Sequence, residues 1–101
     1  MKKIINGKKY DTYTAKCVAQ WDNGYYTNDF NYCSEDLYRK RNGEFFIHGD
    51  GGAMSKYSKH SGNSICGSSD IIPLTTDKAK SWFEKHGDPN QYENIFGIVE
   101  E

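Results

Sequence analysis

Lys2–Ile5 begins the chain as a short strand-like run, and the Asn6-Gly7 pair after it suits a type I′ turn, whose two central residues both need positive φ. A hairpin into Lys8-Lys9-Tyr10 is therefore predicted. From Thr12 to Asp22 the odd positions are Tyr13, Ala15, Cys17, Ala19 and Trp21, while the even ones are mostly polar. That period of two favours a strand with one buried face; a helix competes, because Ala15, Val18 and Trp21 or Asp22 also recur at three and four, with Asp11 or Thr12 as cap. Asp22-Asn23-Gly24 ends this element, and residues 25–32 read as an aromatic loop whose rings tuck back over the sheet.

The clearest unit comes next. Leu37–Lys40 and Glu44–His48 are strand-like runs joined by Arg41-Asn42-Gly43, a second hairpin. The glycines of Gly49-Asp50-Gly51-Gly52 are expected to stop the second strand. Residues 53–69 read as a long polar surface loop with Tyr57, Ile65 and Cys66 as anchors and room for one helical turn at Ala53–Lys59. Asp70–Leu74 is a short strand that Pro73, lacking an N–H, confines to an edge or a strand end. Thr75 or Thr76 then caps a helix carrying Asp77 in its first turn, Ala79, Trp82 and Phe83 on one face, and Lys85 and His86 at its end before Gly87. His86 there is expected to be a favourable cation at the negative end of the helix dipole. Asp88-Pro89 opens a second helix with Tyr92, Ile95 and Phe96 on one face, ending at Gly97. The predicted fold is one α+β domain over residues 1–101: a small antiparallel sheet of three to five strands, as hairpin and meander, with two short C-terminal helices. Edge strands in so small a sheet make a homodimer by strand pairing an available arrangement.

Composition changes this picture in one respect. Only 36% of the 101 residues are hydrophobic, but 15% are aromatic, eight of them tyrosine. Each ring buries about 150–250 Å², enough to build a core where aliphatic residues are sparse. No apolar run approaches the roughly 18 residues of a membrane span. Asn6-Gly7-Lys8-Lys9 interrupts the basic start before a signal-peptide core could form, so a cytoplasmic protein is expected. Net charge is −1, with ten basic and seven acidic residues up to position 60 but three and seven after it.

No residue pattern demands catalysis, a metal or a cofactor. Cys17, Cys33, Cys66, His48, His60 and His86 include no pair at the short spacing of a zinc site, and the odd, widely spaced cysteines argue against a disulfide framework. They are expected to be half-buried small hydrophobes. Gly49–Ala53 lacks the Lys-Ser/Thr ending of a phosphate-binding loop. Glu35 and Asp36 form a carboxylate pair expected to sit solvated at a strand start. The remaining candidate surface is basic and aromatic: Tyr38, Arg39, Lys40 and Arg41 on the hairpin with Lys56, Tyr57, Lys59 and His60 beyond it could hold a phosphate backbone and stack bases of RNA or DNA, or form a protein interface.

Read together, Lys9-Tyr10-Asp11-Thr12, Thr14-Ala15-Lys16, Asp29-Phe30, Leu37–Lys40, Gly43–Phe46, Gly49 with Gly51-Gly52, Ser55-Lys56-Tyr57, Ile71–Leu74 and Ile95-Phe96-Gly97 resemble a family of short proteins carried by phages and mobile elements of Firmicutes. Small anti-CRISPR proteins have been drawn from that pool, and the resemblance spans almost the whole chain. It implies a non-enzymatic inhibitor whose partner is a bacterial CRISPR effector of the Cas9 type or its guide-RNA complex. Two surfaces could serve that role. The acidic residues Glu84, Asp88, Glu93, Glu100 and Glu101 could mimic nucleic acid in a positively charged channel, and the basic hairpin could compete for guide RNA. A small nucleic-acid-binding regulator of the mobile element is the alternative.

Overall fold

The computed structural model describes residues 1–97, and its class is α+β. β1 (Lys2–Ile5) and β2 (Lys8–Asp11) form an antiparallel hairpin with Lys2 opposite Asp11. Asn6 and Gly7 take φ of 51° and 78° at its turn, as the two-residue connection requires. β3 (Lys16–Asp22), β4 (Cys33–Arg39), β5 (Phe45–Gly51) and β8 (Ser68–Leu74) make a four-stranded antiparallel sheet in that order. Between its last two strands sits a small hairpin of β6 (Lys59–Ser61) and β7 (Ser64–Cys66). α1 (Thr76–His86) and α2 (Pro89–Phe96) follow, capped by the side chains of Thr75 and Asp88, which accept from the N–H groups of Lys78 and Asn90. Among the described residues, no helix is long and apolar enough to cross a membrane.

Both faces of the sheet are covered, which explains the uninterrupted run Phe45-Phe46-Ile47 in β5. Phe45 and Ile47, with Leu37 of β4 and Ala19 of β3, face Ala79, Trp82 and Phe83 of α1, and Tyr92, Ile95 and Phe96 of α2 pack alongside. Phe46 points the other way, where Tyr10 of the β1–β2 hairpin meets it edge-on at 5.5 Å and Tyr38 stacks on it at 5.2 Å. The molecule is thus layered as helices, sheet and hairpin.

Several expectations change. The segment 12–22 is a strand, but only from Lys16, and its alternation breaks where Cys17 pairs with Tyr38 and Ala19 with Leu37. Val18 is the extra residue of a bulge, so Cys17 is exposed while Ala19 is buried. Tyr25, Tyr26 and Phe30 of the aromatic loop do not tuck over the sheet: they are 51%, 84% and 67% exposed. The glycines after His48 do not stop β5, which runs through Gly51. The long loop 53–69 contains β6 and β7 instead of a helical turn, and Ile65 and Cys66 are exposed, leaving Tyr57 as its one buried anchor. Gly87 ends α1 at φ −98°, with no left-handed turn; a side chain there would collide with the Phe83 ring. His86 lies against Trp21 at 4.0 Å and Trp82 at 5.4 Å, and burial pulls its pKa below the ordinary histidine value, opposite to what a helix-end cation requires.

Candidate functional site: a basic end and a buried carboxylate

The hairpin β4–β5 reverses in a tight turn where Lys40 N–H donates to the Glu44 carbonyl at 2.8 Å and Gly43, at φ 90°, closes back onto Lys40. Because strand β4 ends in Arg39, this turn gathers Arg39, Lys40 and Arg41 at one end of the sheet. The bulge in β3 sets the register that puts Lys16 directly opposite Arg39. Like charges in a cross-strand pair are unfavourable by roughly 0.2–1 kcal/mol, so the fold carries this pair at a cost. Lys9 of β2 joins from the hairpin layer. A groove of about 370 Å³ runs between Lys9, Asp11, Lys40 and Arg41, and another of about 590 Å³ between Lys16, Arg39 and the Ile95 side of α2. The two share Thr14, Ala15, Lys40 and Arg41 and are therefore continuous.

Lys40 is held in place, its ammonium 3.7 Å from the centre of the Tyr10 ring and 3.7 Å from Glu44. Arg39 lies over Phe45 at 5.5 Å. Glu44 also pairs with Lys8 at 3.1 Å, and that hydrogen bond is the main reason its carboxyl titrates below the usual range. Among the described residues Lys9, Lys16, Arg39 and Arg41 make no ion pair. The arrangement sets four cations outside any ion pair, with Asp11 and the Lys40–Glu44 pair beside them, around a shallow apolar-floored groove, which is suited to phosphates or to an acidic protein surface.

The other residues of the expected basic and aromatic surface lie elsewhere. Tyr38 is half-buried against Phe46, and burial raises its pKa; its ring is already stacked inside the protein. Lys56, Tyr57 and Lys59 follow the far end of β5, one strand length away from Arg41, or about 23 Å for seven residues. Lys56 and Lys59 instead line a separate groove of about 470 Å³ with Lys3 and Asp70, which are themselves paired at 2.6 Å. Of the acidic candidates, Glu84 and Glu93 are exposed on the two helices, flanking a groove of about 280 Å³, and Asp88 is engaged as a helix cap. Glu100 and Glu101 lie outside the described residues.

The carboxylate pair at the start of β4 separates. Asp36 turns to the outer face beside His48, and burial raises its pKa. Glu35, expected to be solvated, is 1% exposed on the inner face. The Tyr57 hydroxyl donates to its Oε2, the Lys56 ammonium reaches the same oxygen at 2.7 Å, and the Trp82 indole N–H donates to Oε1 at 3.1 Å. Burial alone would raise this pKa. The donors Lys56, Tyr57 and Trp82 outweigh it and hold the carboxyl below the ordinary glutamate value. Burial and the neighbouring anion push the Tyr57 phenol well above its usual value. A carboxylate whose pKa is lowered, bonded to a phenol whose pKa is raised, is not poised for proton transfer near neutrality. It is a clamp that ties the loop 52–58 to β4 and α1. The signal was present in the alternation Cys33, Glu35, Leu37, which puts the carboxylate on the apolar face of its strand.

No protein-family model, curated protein or solved structure matches the chain.

Proposed function

We propose that the protein works by stoichiometric binding and not by turnover, with the basic end of the sheet as its contact to an anionic macromolecular surface. The observation that carries this is the cross-strand pair Lys16 and Arg39 beside Lys9 and Arg41: cations held together at a cost to folding and engaged in no ion pair among the described residues, with Asp11 the one carboxylate lining their grooves. The resemblance to short proteins of Firmicutes phages and mobile elements, the pool from which small anti-CRISPR proteins have been drawn, favours a guide-loaded effector of the Cas9 type as the partner. Such a complex exposes RNA phosphates beside the channel that must receive target DNA, and a domain seated there blocks target pairing without any chemistry of its own.

The test is a cleavage assay with guide-loaded effectors and increasing amounts of purified protein. Inhibition complete near a one-to-one ratio, with co-elution of the two, is the expected result. Replacing Arg39 and Arg41 by Glu should abolish both. A panel of effectors that neither bind nor lose activity would remove the proposal. The same cations also favour a second reading, a nucleic-acid-binding regulator of the mobile element; it predicts tight binding to bare RNA or DNA that weakens steeply as salt rises.

A further inference from the structure

At the end of the sheet opposite the basic groove, residues 23–32 and 52–55 form two loops bonded to each other. Met54 N–H donates to the Phe30 carbonyl at 2.8 Å and Gly52 N–H to that of Tyr32 at 2.9 Å. Within the first loop the Asp29 carboxylate accepts from the Asn31 N–H at 2.8 Å, and the Asn23 amide donates to the Asn31 carbonyl at 2.7 Å. Gly52 approaches so closely that a Cβ there would lie 2.5 Å from the carbonyl oxygens of Asp29 and Phe30. The Glu35–Tyr57 clamp fixes the far end of the second loop. From this pinned backbone Tyr25, Tyr26, Phe30 and Met54 project into water, 51%, 84%, 67% and 71% exposed. Large apolar side chains gathered on a rigid support are the mark of an interaction surface.

We infer that this aromatic end is a protein-docking surface, and that its partner presents an apolar pocket rimmed by lysine or arginine. Charge decides the class. Residues 22–32 and 50–55 contain Asp22, Asp29 and Asp50 and no cation; Lys56, which follows, is spent on Glu35. Nucleic-acid phosphates and anionic lipid headgroups are repelled by such a rim, whereas a basic protein surface is attracted. Two copies meeting through this end would set the same aspartates against themselves. The composition, rich in Tyr, Asn and Gly with few flexible side chains, is that of a paratope, in which rigid rings supply contact area at little entropic cost. A rigid presenting loop removes the ordering penalty that a mobile one would incur on binding. This contact is independent of the basic end, and either can fail without the other.

The full chain is made with the photocrosslinking residue benzoylphenylalanine in place of Tyr26, of Phe30, or of Lys2 as control, and irradiated in the bacterial host. Positions 26 and 30 are expected to crosslink to one segment of one protein, with Lys or Arg beside apolar residues, and position 2 is not. Against that purified protein, freed of nucleic acid, the double variant Tyr26→Ser with Phe30→Ser should bind more than tenfold more weakly, while Lys78→Ala, an exposed change on α1 away from both ends, should bind as the parent does. The exposed positions leave folding intact, which thermal unfolding verifies. Crosslinks to another copy of this chain, to nucleic acid or to no common segment overturn the inference. So does a lack of crosslinks above the control, or an unchanged affinity of the double variant.

Discussion

The ring of Tyr57 stands on the bare backbone of Gly49, filling the space that a side chain at position 49 would need. Gly51 stands in the same relation to Ser55. This glycine stripe in β5 is what lets the loop 52–58 lie flat on the inner face and bring its phenol to Glu35. Substituting Gly49 by Ala should therefore expel the Tyr57 ring and cost about 1–3 kcal/mol or more, the range of overpacked core sites. Urea unfolding measures the loss. Hydrogen exchange at the Gly52 and Met54 amides, which bond the two loops together, should accelerate in the same variant; unchanged exchange would show that the aromatic end does not depend on this seat.

Glu35 should leave a signature in the pH dependence of stability. Its folded pKa lies below its ordinary value, so it stabilises the fold above the unfolded pKa of about 4.5, and that contribution disappears as pH falls through the folded value. Glu44 acts in the same direction from the same starting pH, Asp70 in the same direction below about 3.8, and Asp36, with a raised pKa, in the opposite direction. Glu35→Gln should flatten the acid limb of a stability–pH curve without abolishing it, and should lower stability at pH 7. A curve parallel to the parent's would mean that folding leaves the Glu35 pKa where it is in the unfolded chain, and a steeper acid limb that folding raises it.

His86 predicts a second, separate limb. Because burial depresses its pKa, the folded state prefers the neutral ring between the two indoles; the associated stability is present above pH 6.5 and is lost as pH falls through the lower folded value. Proton NMR of the imidazole should give a midpoint below 6.5, and His86→Phe should remove the slope in that window. A midpoint above 6.5 would contradict the packing.

Lys16 offers a test in which stability and binding move in opposite directions. Lys16→Glu turns a repulsive cross-strand pair with Arg39 into an attractive one, which should raise stability by roughly 0.4–2 kcal/mol, twice the cost of a like pair. The same change should weaken any contact with an anionic partner. Thermal unfolding and a binding titration on one sample check both; a variant that is stabilised and binds as before would remove Lys16 from the basic site.

What the sequence by itself determined was local. Asn6-Gly7 and Asn42-Gly43 set their turns because only a few residue types accept positive φ, and Thr75 and Asp88 capped their helices because their side-chain oxygens reach an N–H two or three residues on. The basic residues on the hairpin were visible for the same reason, being neighbours in the chain. Tertiary structure decided the rest. Glu35 is interior only because Trp82, 47 residues away, and Tyr57 arrive to satisfy it. Lys56 and Tyr57 part company from Arg39–Arg41 because an entire strand intervenes. Tyr26 and Phe30 are outside although aromatic, on a loop whose backbone is bonded to residues 52 and 54 of another loop. Burial is set by which distant surfaces meet, and hydropathy read along the chain records only what a side chain prefers when a place is available.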